Sequence, residues 1–282
     1  MQDLKGKIIV ITGANIGIGK AAAEVFARRG ASLRLLCRSE EKTRPVIEEL
    51  KRLAGHDDVK FIPLSLDDLG SVRAAAKQLL AMDEPIHVLI NNAGLAGQRG
   101  KTKDGFEIHF GVNHLGHFLL TTLLLDRIRA SAPARIVNVA SRAHYNAKGI
   151  DWNALREDTA HYTGMHEYSI SKLANVLFTK ELARRLSGTG VTTYAIHPGV
   201  IASNIWARVP GIVRPLVHAF MKSSEEGAHA TVHTATADSV AHESGKYYDE
   251  DGSVKTPNRL ADDQALAREL WTRSEDWVRA SA

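Results

Sequence analysis

Residues 12–20 read TGANIGIGK; they follow the apolar run KIIVIT (7–12) and lead straight into KAAAEVFARRG (20–30). Glycine lets a backbone turn sharply and approach a pyrophosphate closely. The helix beyond such a turn offers unpaired N–H groups and a positive dipole end to an anion. Gly13, Gly17 and Gly19 follow T-G-x-x-x-G-x-G rather than G-x-G-x-x-G. Three glycines alone are a weak signal, but a strand before them and a helix after them place them in the first βα turn of a dinucleotide fold. The expected phosphate cradle is Gly13, Asn15, Gly17, Ile18 and Gly19.

Outward from this turn, short β-rich runs recur: ASLRLLC (31–37), VKFIPL (59–64), IHVLIN (86–91), ARIVNVAS (134–141), VTTYAIH (191–197) and GKYY (245–248). Segments of helical periodicity separate them; in the first, Ala22, Val25 and Phe26 fall on one face. Alternating strand and helix predicts an α/β fold, a single doubly wound Rossmann domain over residues 1–282. Its sheet is expected to have seven mostly parallel strands with helices on both faces. SNIWARVPGIVRPLVHAFMKS (203–223), broken by Pro210, Gly211 and Pro215, interrupts the alternation before a helix expected at about Ser224. It reads either as a surface excursion closing the core or as a lid over a substrate.

With 44% hydrophobic and 24% charged residues in 282, the composition is that of an ordinary soluble protein. The 36 basic residues are interspersed with 32 acidic ones, which argues against nucleic acid as a partner. The single cysteine, Cys37, excludes an internal disulfide framework and a cysteine-built zinc site. No apolar stretch approaches the ~18 uninterrupted residues of a membrane span, and no secretion signal or stable anchor is visible. These features together set the expectation of a cytoplasmic protein.

The second strand ends LLCR. NAD sites usually place a carboxylate about 20 residues past the glycines to bind the ribose hydroxyls. Here Cys37 stands there and Arg38 follows. A carboxylate would repel a 2′-phosphate, whereas a guanidinium binds it through a charge-assisted fork, so NADP (NADPH) is the expected cofactor.

EYSISKLANV (167–176) sets Tyr168 and Lys172 one turn apart on a helix, where both head groups can reach one site. That spacing is common by chance, and its meaning comes from its company. TGANIGIG, NNAG (91–94), Asn113 in GVNHLGHF, Ser141 in IVNVAS, YSISK and HPG (197–199) occur in the order in which they stand in the short-chain dehydrogenase/reductase family. From about Lys7 to Trp277 the chain resembles that family, and GVNHLGHFLLT, SKLANVLFTKELARRL and GTGVTTYAIHPGV are similar to its retinol-dehydrogenase-like branch.

The resemblance implies an oxidoreductase that interconverts an alcohol with an aldehyde or ketone. Tyr168 would transfer the proton at the substrate oxygen. A phenol with a pKa of about 10 is a poor base unless cations favour its phenolate. Lys172 and an oxidised nicotinamide would supply them, and Lys172 would also bind the nicotinamide ribose. Ser141 would hydrogen-bond the substrate oxygen, and Asn113 would position a water that links the lysine to solvent. Asn92, Ala93 and Gly94 are expected beside the adenosine ribose, and Pro198, Gly199, Ile201 and Ser203 around the carboxamide. His114 and His117, three residues apart, belong to a motif with no metal role and read as packing or helix-surface residues, so no metal site is expected.

Relatives of this branch carry Asp-Leu after the third strand, the aspartate holding the adenine amino group. Here the pair is Ser65-Leu66, with Asp67 two places on, so the adenine contact is either weakened or made by the Ser65 hydroxyl or the main chain. Trp206, Val209, Ile212, Leu216 and Phe220 are apolar candidates for a pocket wall, pointing to a small lipophilic alcohol or carbonyl substrate. The resemblance also implies a homodimer or homotetramer through helices at about 105–130 and 162–187. A non-catalytic protein that binds and senses NADPH is the alternative, and the intact Ser141, Tyr168 and Lys172 count against it.

Overall fold

The run IIVIT forms strand β1 (Ile8–Thr12) at the middle of the sheet, hydrogen-bonded in parallel to β2 (Ser32–Cys37) on one side and to β4 (Val88–Asn91) on the other. A strand with neighbours on both sides and helices on both faces is buried throughout, which is why these runs are continuously apolar instead of alternating. Their side chains still alternate between faces. Ile9 and Ile11 enter one core, and Val10 enters the other.

The structure is a computed structural model that describes residues 3–199 and 223–281. Strand order is β3 (Val59–Pro63), β2, β1, β4, β5 (Ala134–Val139), β6 (Val191–Ile196), β7 (Tyr247–Tyr248), β8 (Val254–Lys255). Seven strands are parallel, as the seven apolar runs predict. The eighth, β8, is a two-residue antiparallel addition to β7. Both its residues are exposed, so it has no apolar signature.

Helices α1 (Gly17–Arg28), α2 (Glu40–Ala54) and α6 (Ser224–Thr236) cover one face with a core that includes Phe26, Leu50 and Ala228. On the other face lie α3 (Leu69–Ala81), α4 (Ile108–Ala130), α5 (Met165–Arg185) and α7 (Gln264–Ala280). There Phe118 meets Phe178 and Trp271 edge-on at ring-centroid distances of 5.6 and 5.0 Å. Edge-to-face pairs of this kind contribute about 0.5–1.5 kcal/mol each beyond their burial. Among the described residues Arg34 is the one fully buried guanidinium; Glu84 and Asp58 neutralise it at 2.7 and 2.9 Å.

The chain runs outward through β1, β2 and β3, then returns to the other side of β1 as β4. Strand order therefore reverses between β1 and β4, where such folds bind their ligands. Both the glycine turn and NNAG leave the sheet at this crevice. The segment expected as a lid lies outside the described residues except for Ser223. Ser223 caps α6, accepting from the Glu226 amide at 3.1 Å while the Glu226 carboxylate accepts from the Ser223 amide at 2.9 Å.

Candidate active site

The turn after β1 is shaped by what its glycines lack. Gly13 and Gly17 adopt φ of +67° and +56°, where a side chain is strained. A Cβ on Gly19 would run into the Gly13 carbonyl oxygen and stand 2.5 Å from Nδ2 of Asn92. Asn92 uses that amide to donate to the carbonyls of Thr12 at 2.8 Å and Gly13 at 3.3 Å. The Asn92 and Ala93 backbone amides both donate to Thr12 Oγ1 at 2.9 Å. So NNAG and the glycine turn form one unit, with Asn15 and Ile18 part-buried within it. No side chain caps α1, and its first turn holds no acidic residue, which leaves its N-terminal N–H groups open to an anion.

Cys37 is buried under this turn, where loss of hydration pushes its thiol up. Arg38 next to it is exposed. With Glu40, Phe61, Pro63 and Gln78 it lines an open hollow of about 540 Å³ along the β2–β3 edge. Ser65 has its hydroxyl committed to Asp67, and its amide donates to Ser71 Oγ at 2.9 Å. Leu66 is a core residue whose carbonyl oxygen would lie 2.8 Å from a Cβ on Gly116.

Four expected catalytic residues converge at the ends of β4 and β5. Ser141 follows β5 with its hydroxyl near enough to the Tyr168 phenol to favour the phenolate. Lys172, one turn along α5, is buried, and its ammonium donates to the Val139 carbonyl at 2.9 Å. It stands 5.6 Å from the centre of the Tyr168 ring. A Cβ on Gly94 would be 3.0 Å from Asn113 Oδ1 and 3.6 Å from Lys172 Nζ, so these three positions are also neighbours. Asn113 lies in a π-helical turn of α4, Gly111–Leu115. Its side chain accepts from the Leu95 amide at 2.9 Å and donates to the Leu95 carbonyl and to Ser171 Oγ, both at 3.0 Å. Every polar atom of its side chain is thereby used within the protein.

Burial dominates the electrostatics. It pushes Lys172 down to about 7 and raises Tyr168, the Ser141 hydroxyl opposing the latter. The lowering of Tyr168 expected from Lys172 together with an oxidised nicotinamide concerns the nucleotide-bound enzyme; burial by the protein alone acts in the opposite direction.

Pro198 and Gly199 follow the end of β6, Gly199 with φ +93° and packed against the Glu250 side chain. Ile201 and Ser203 lie outside the described residues, as do the apolar pocket candidates at 206–220. His197, just before this turn, accepts the Arg142 amide on Nδ1 at 3.3 Å, and burial pushes it down to about 4.

Two histidines expected as packing or surface residues are wholly internal. His114 sits among Phe110, Phe118 and Phe178 and reaches Ser274 at 3.2 Å; His117 bridges Thr12 and Asn113. A third internal pair was not anticipated. The Glu107 carboxylate takes hydrogen bonds from Thr159 Oγ1 at 2.6 Å and from His109 Nδ1 at 2.8 Å, and the His109 ring lies edge-on to Tyr168 at 6.1 Å. The FEIH just upstream of GVNHLGHF was the available signal.

A family profile described as short chain dehydrogenase matches residues 7–154, spanning the glycine turn, NNAG, Asn113 and Ser141. The chain belongs to this family. As a short-chain dehydrogenase it is 45% identical over 278 residues to retinol dehydrogenase 11 of Homo sapiens, an alignment that takes in 97% of this chain and 86% of that one. Its fold matches the crystal structure of an uncharacterised protein from Mycobacterium Paratuberculosis with a TM-score of 0.80 at 32% identity, over 99% and 96% of the two chains. A gluconate 5-dehydrogenase-like structure from Beutenbergia cavernae, with NADP bound at low occupancy, matches with a TM-score of 0.71 at 25% identity, over 89% and 97%. The short-chain dehydrogenase is therefore an oxidoreductase of retinol-dehydrogenase-like type acting on CH–OH groups.

The same finding overturns the expectation of a cytoplasmic protein. The relative aligned over nearly the whole chain is named for retinol, an apolar alcohol that partitions into lipid. Among the described residues α4 is long and apolar enough to cross a membrane by length and composition, with 78% of its most apolar window buried inside this fold.

Proposed function

We propose that this short-chain dehydrogenase uses NADP(H) to interconvert a lipophilic alcohol of the retinol class with its aldehyde, or a related ketone. The observation that carries the reading is Ser141 set against the Tyr168 phenol with buried Lys172 one turn away, beside a crevice where a Cβ on Gly13 or Gly19 would collide. The residues fit a dinucleotide: a turn in which Gly13 and Gly19 leave no space for a Cβ, an uncapped helix N-terminus, and Arg38 in place of the carboxylate that would repel a 2′-phosphate. Gly13, Asn15, Gly17, Ile18 and Gly19 would hold the pyrophosphate, Asn92 to Gly94 and Ser65-Leu66 the adenosine side, and Pro198, Gly199, Ile201 and Ser203 the carboxamide. When bound, the nicotinamide supplies or accepts the hydride at the substrate carbon.

The chain's own part is to move a proton and to bind a developing charge. In carbonyl reduction Ser141 donates a hydrogen bond to the substrate oxygen, and Tyr168 delivers its proton there as the oxygen becomes an alkoxide. Burial that keeps Tyr168 protonated suits this direction. Alcohol oxidation runs the same transfer in reverse and needs the phenolate, which a cation close to the ring favours. Lys172 is the protein's contribution of such a cation, and it would also hold the ribose hydroxyls.

The test is a panel of aldehydes and alcohols, retinal and retinol among them, assayed with NADPH/NADP and NADH/NAD. Turnover of apolar carbonyls with a preference for the phosphorylated cofactor is the expected result. No turnover of any carbonyl or alcohol, with NADPH still bound, would replace the enzymatic reading with a sensing one.

A further inference from the structure

His117 is a titratable side chain that touches both halves of the site. Thr12 Oγ1 already accepts the amides of Asn92 and Ala93, each at 2.9 Å, so both its lone pairs are used and its hydrogen is left to donate. The near acceptor is His117 Nε2 at 2.9 Å; the Ile90 carbonyl is farther, at 3.5 Å. On the opposite edge of the ring, His117 Nδ1 lies 3.1 Å from the Asn113 carbonyl oxygen, which can only accept. Both edges therefore demand the same neutral tautomer, hydrogen on Nδ1 and a lone pair on Nε2.

Beyond Asn113 the connection continues. The Asn113 amide holds Ser171 Oγ at 3.0 Å, and Ser171 donates to the Tyr168 carbonyl at 2.7 Å, on the turn of α5 that carries Tyr168 and Lys172. The π-helical turn around Asn113 widens α4 at the place where the ring reaches back to that carbonyl. Burial keeps the imidazole uncharged, pushing it down to about 4, with the Lys172 charge acting in the same direction. A second hydrogen on the ring would face an oxygen with no lone pair to spare.

We propose that His117 is a positioning residue that ties the nucleotide-binding turn, through Thr12, to Asn113 and the catalytic turn of α5. It touches neither substrate nor nucleotide; it sets the spacing between the elements that do. The inference rests on the reading of Tyr168 and Lys172 given above, but its readouts separate from that reading.

The first readout is the wild-type imidazole by nitrogen NMR, which needs no substitution. The Nδ1–H tautomer is expected, and the Nε2–H tautomer would overturn the proposal. The second compares His117→Phe, which keeps a ring and removes both hydrogen bonds, with His117→Gln, which keeps a donor and an acceptor. Loss of a buried hydrogen-bonded link of this kind is worth roughly tenfold, so His117→Phe is expected to weaken NADPH binding, read by fluorescence titration, and to lower kcat by about that factor each. His117→Gln recovers most of both. If His117→Phe lowers only the thermal midpoint, with NADPH affinity and kcat within about twofold of wild type, His117 is a packing residue and the proposal falls. Should His117→Phe fail to fold, His117→Gln and the tautomer decide alone. Tyr168→Phe run in parallel keeps the two readings apart: an active Tyr168→Phe sinks the proton-transfer reading, while NADPH affinity and tautomer still report on His117.

Discussion

The glycine turn at residues 12–19 and the pocket at residues 139–172 are proposed to serve one reaction, yet the first is shaped by side chains that are missing and the second by polar side chains taken out of water. At the turn the controlling quantity is distance: a Cβ on Gly19 has nowhere to go. In the pocket it is hydration, since burial displaces Lys172, Tyr168 and the neighbouring histidines from their usual ionisation. A steric device fails abruptly when a methyl is added, whereas an electrostatic one fails gradually with pH or by loss of a single proton. The two ends should therefore break in different ways.

Acid makes the largest break, and only on the electrostatic side. Burial holds His114 down to about 3 and His117 and His197 to about 4, against 6.5 for an ordinary imidazole. The unfolded chain then binds more protons than the folded one below about 6.5, so stability is intact above that pH and is lost as the pH falls toward the folded values. At pH 5 the penalty is about 2 kcal/mol for each of the three, roughly 6 kcal/mol together as an upper figure. Urea unfolding at pH 7 and pH 5 measures it; equal midpoints would mean that these rings are hydrated or charged in the fold.

Next in size is Tyr168→Phe, which keeps the ring against His109 and removes the proton. A drop in kcat of about 10³-fold is expected with NADPH affinity unchanged, the size of a general acid–base contribution. A variant with most of its turnover left would remove the phenol from the chemistry. The steric side is tested by Gly19→Ala against Gly55→Ala. Gly19→Ala overpacks the turn and is expected to cost about 2–3 kcal/mol and to abolish tight NADPH binding. At Gly55, φ is +72° but nothing lies within 4 Å of a new Cβ, so only the backbone strain of about 1 kcal/mol applies and binding is kept. Thermal unfolding and nucleotide titration of both variants decide whether collision or strain rules the turn.

The steric device was far more legible in the sequence than the electrostatic one. Glycines between a strand and a helix are a local pattern, and the alternation of apolar runs predicted all seven parallel strands. The eighth escaped because Val254 and Lys255 are two exposed residues paired to β7, with no apolar stretch to mark them. The positions of Ser141, Tyr168 and Lys172 were legible only through motif order, since nothing local says that residue 141 meets residue 168. His117 escaped for the same reason: its partner Thr12 is 105 residues away, and a histidine on an apolar helix looks the same whether it packs or links. The upward displacement of Tyr168 was hidden as well, because desolvation depends on everything packed around a group.

The smallest effect falls on the charged side chain at the nucleotide end. Arg38 is exposed at the rim of the open hollow formed with Glu40, Phe61, Pro63 and Gln78, so its field is screened by water and salt in a way that Lys172's is not. A charge-assisted hydrogen bond to a phosphate is worth about 1.5–3 kcal/mol, and exposure puts Arg38 toward the lower end. Arg38→Asp removes that attraction and sets a carboxylate where the 2′-phosphate would lie. The expected result is a fall of about 10–30-fold in kcat/KM for NADPH, with NADH held or improved because its ribose hydroxyls can now donate to the carboxylate. Salt separates this from a general disturbance of the turn: raising ionic strength should erode the NADPH preference proposed for the wild type and leave the variant's cofactor ratio nearly flat. An Arg38→Asp enzyme with the wild-type ratio at both low and high salt would place the discrimination away from the end of β2, and the nucleotide end would then be steric throughout.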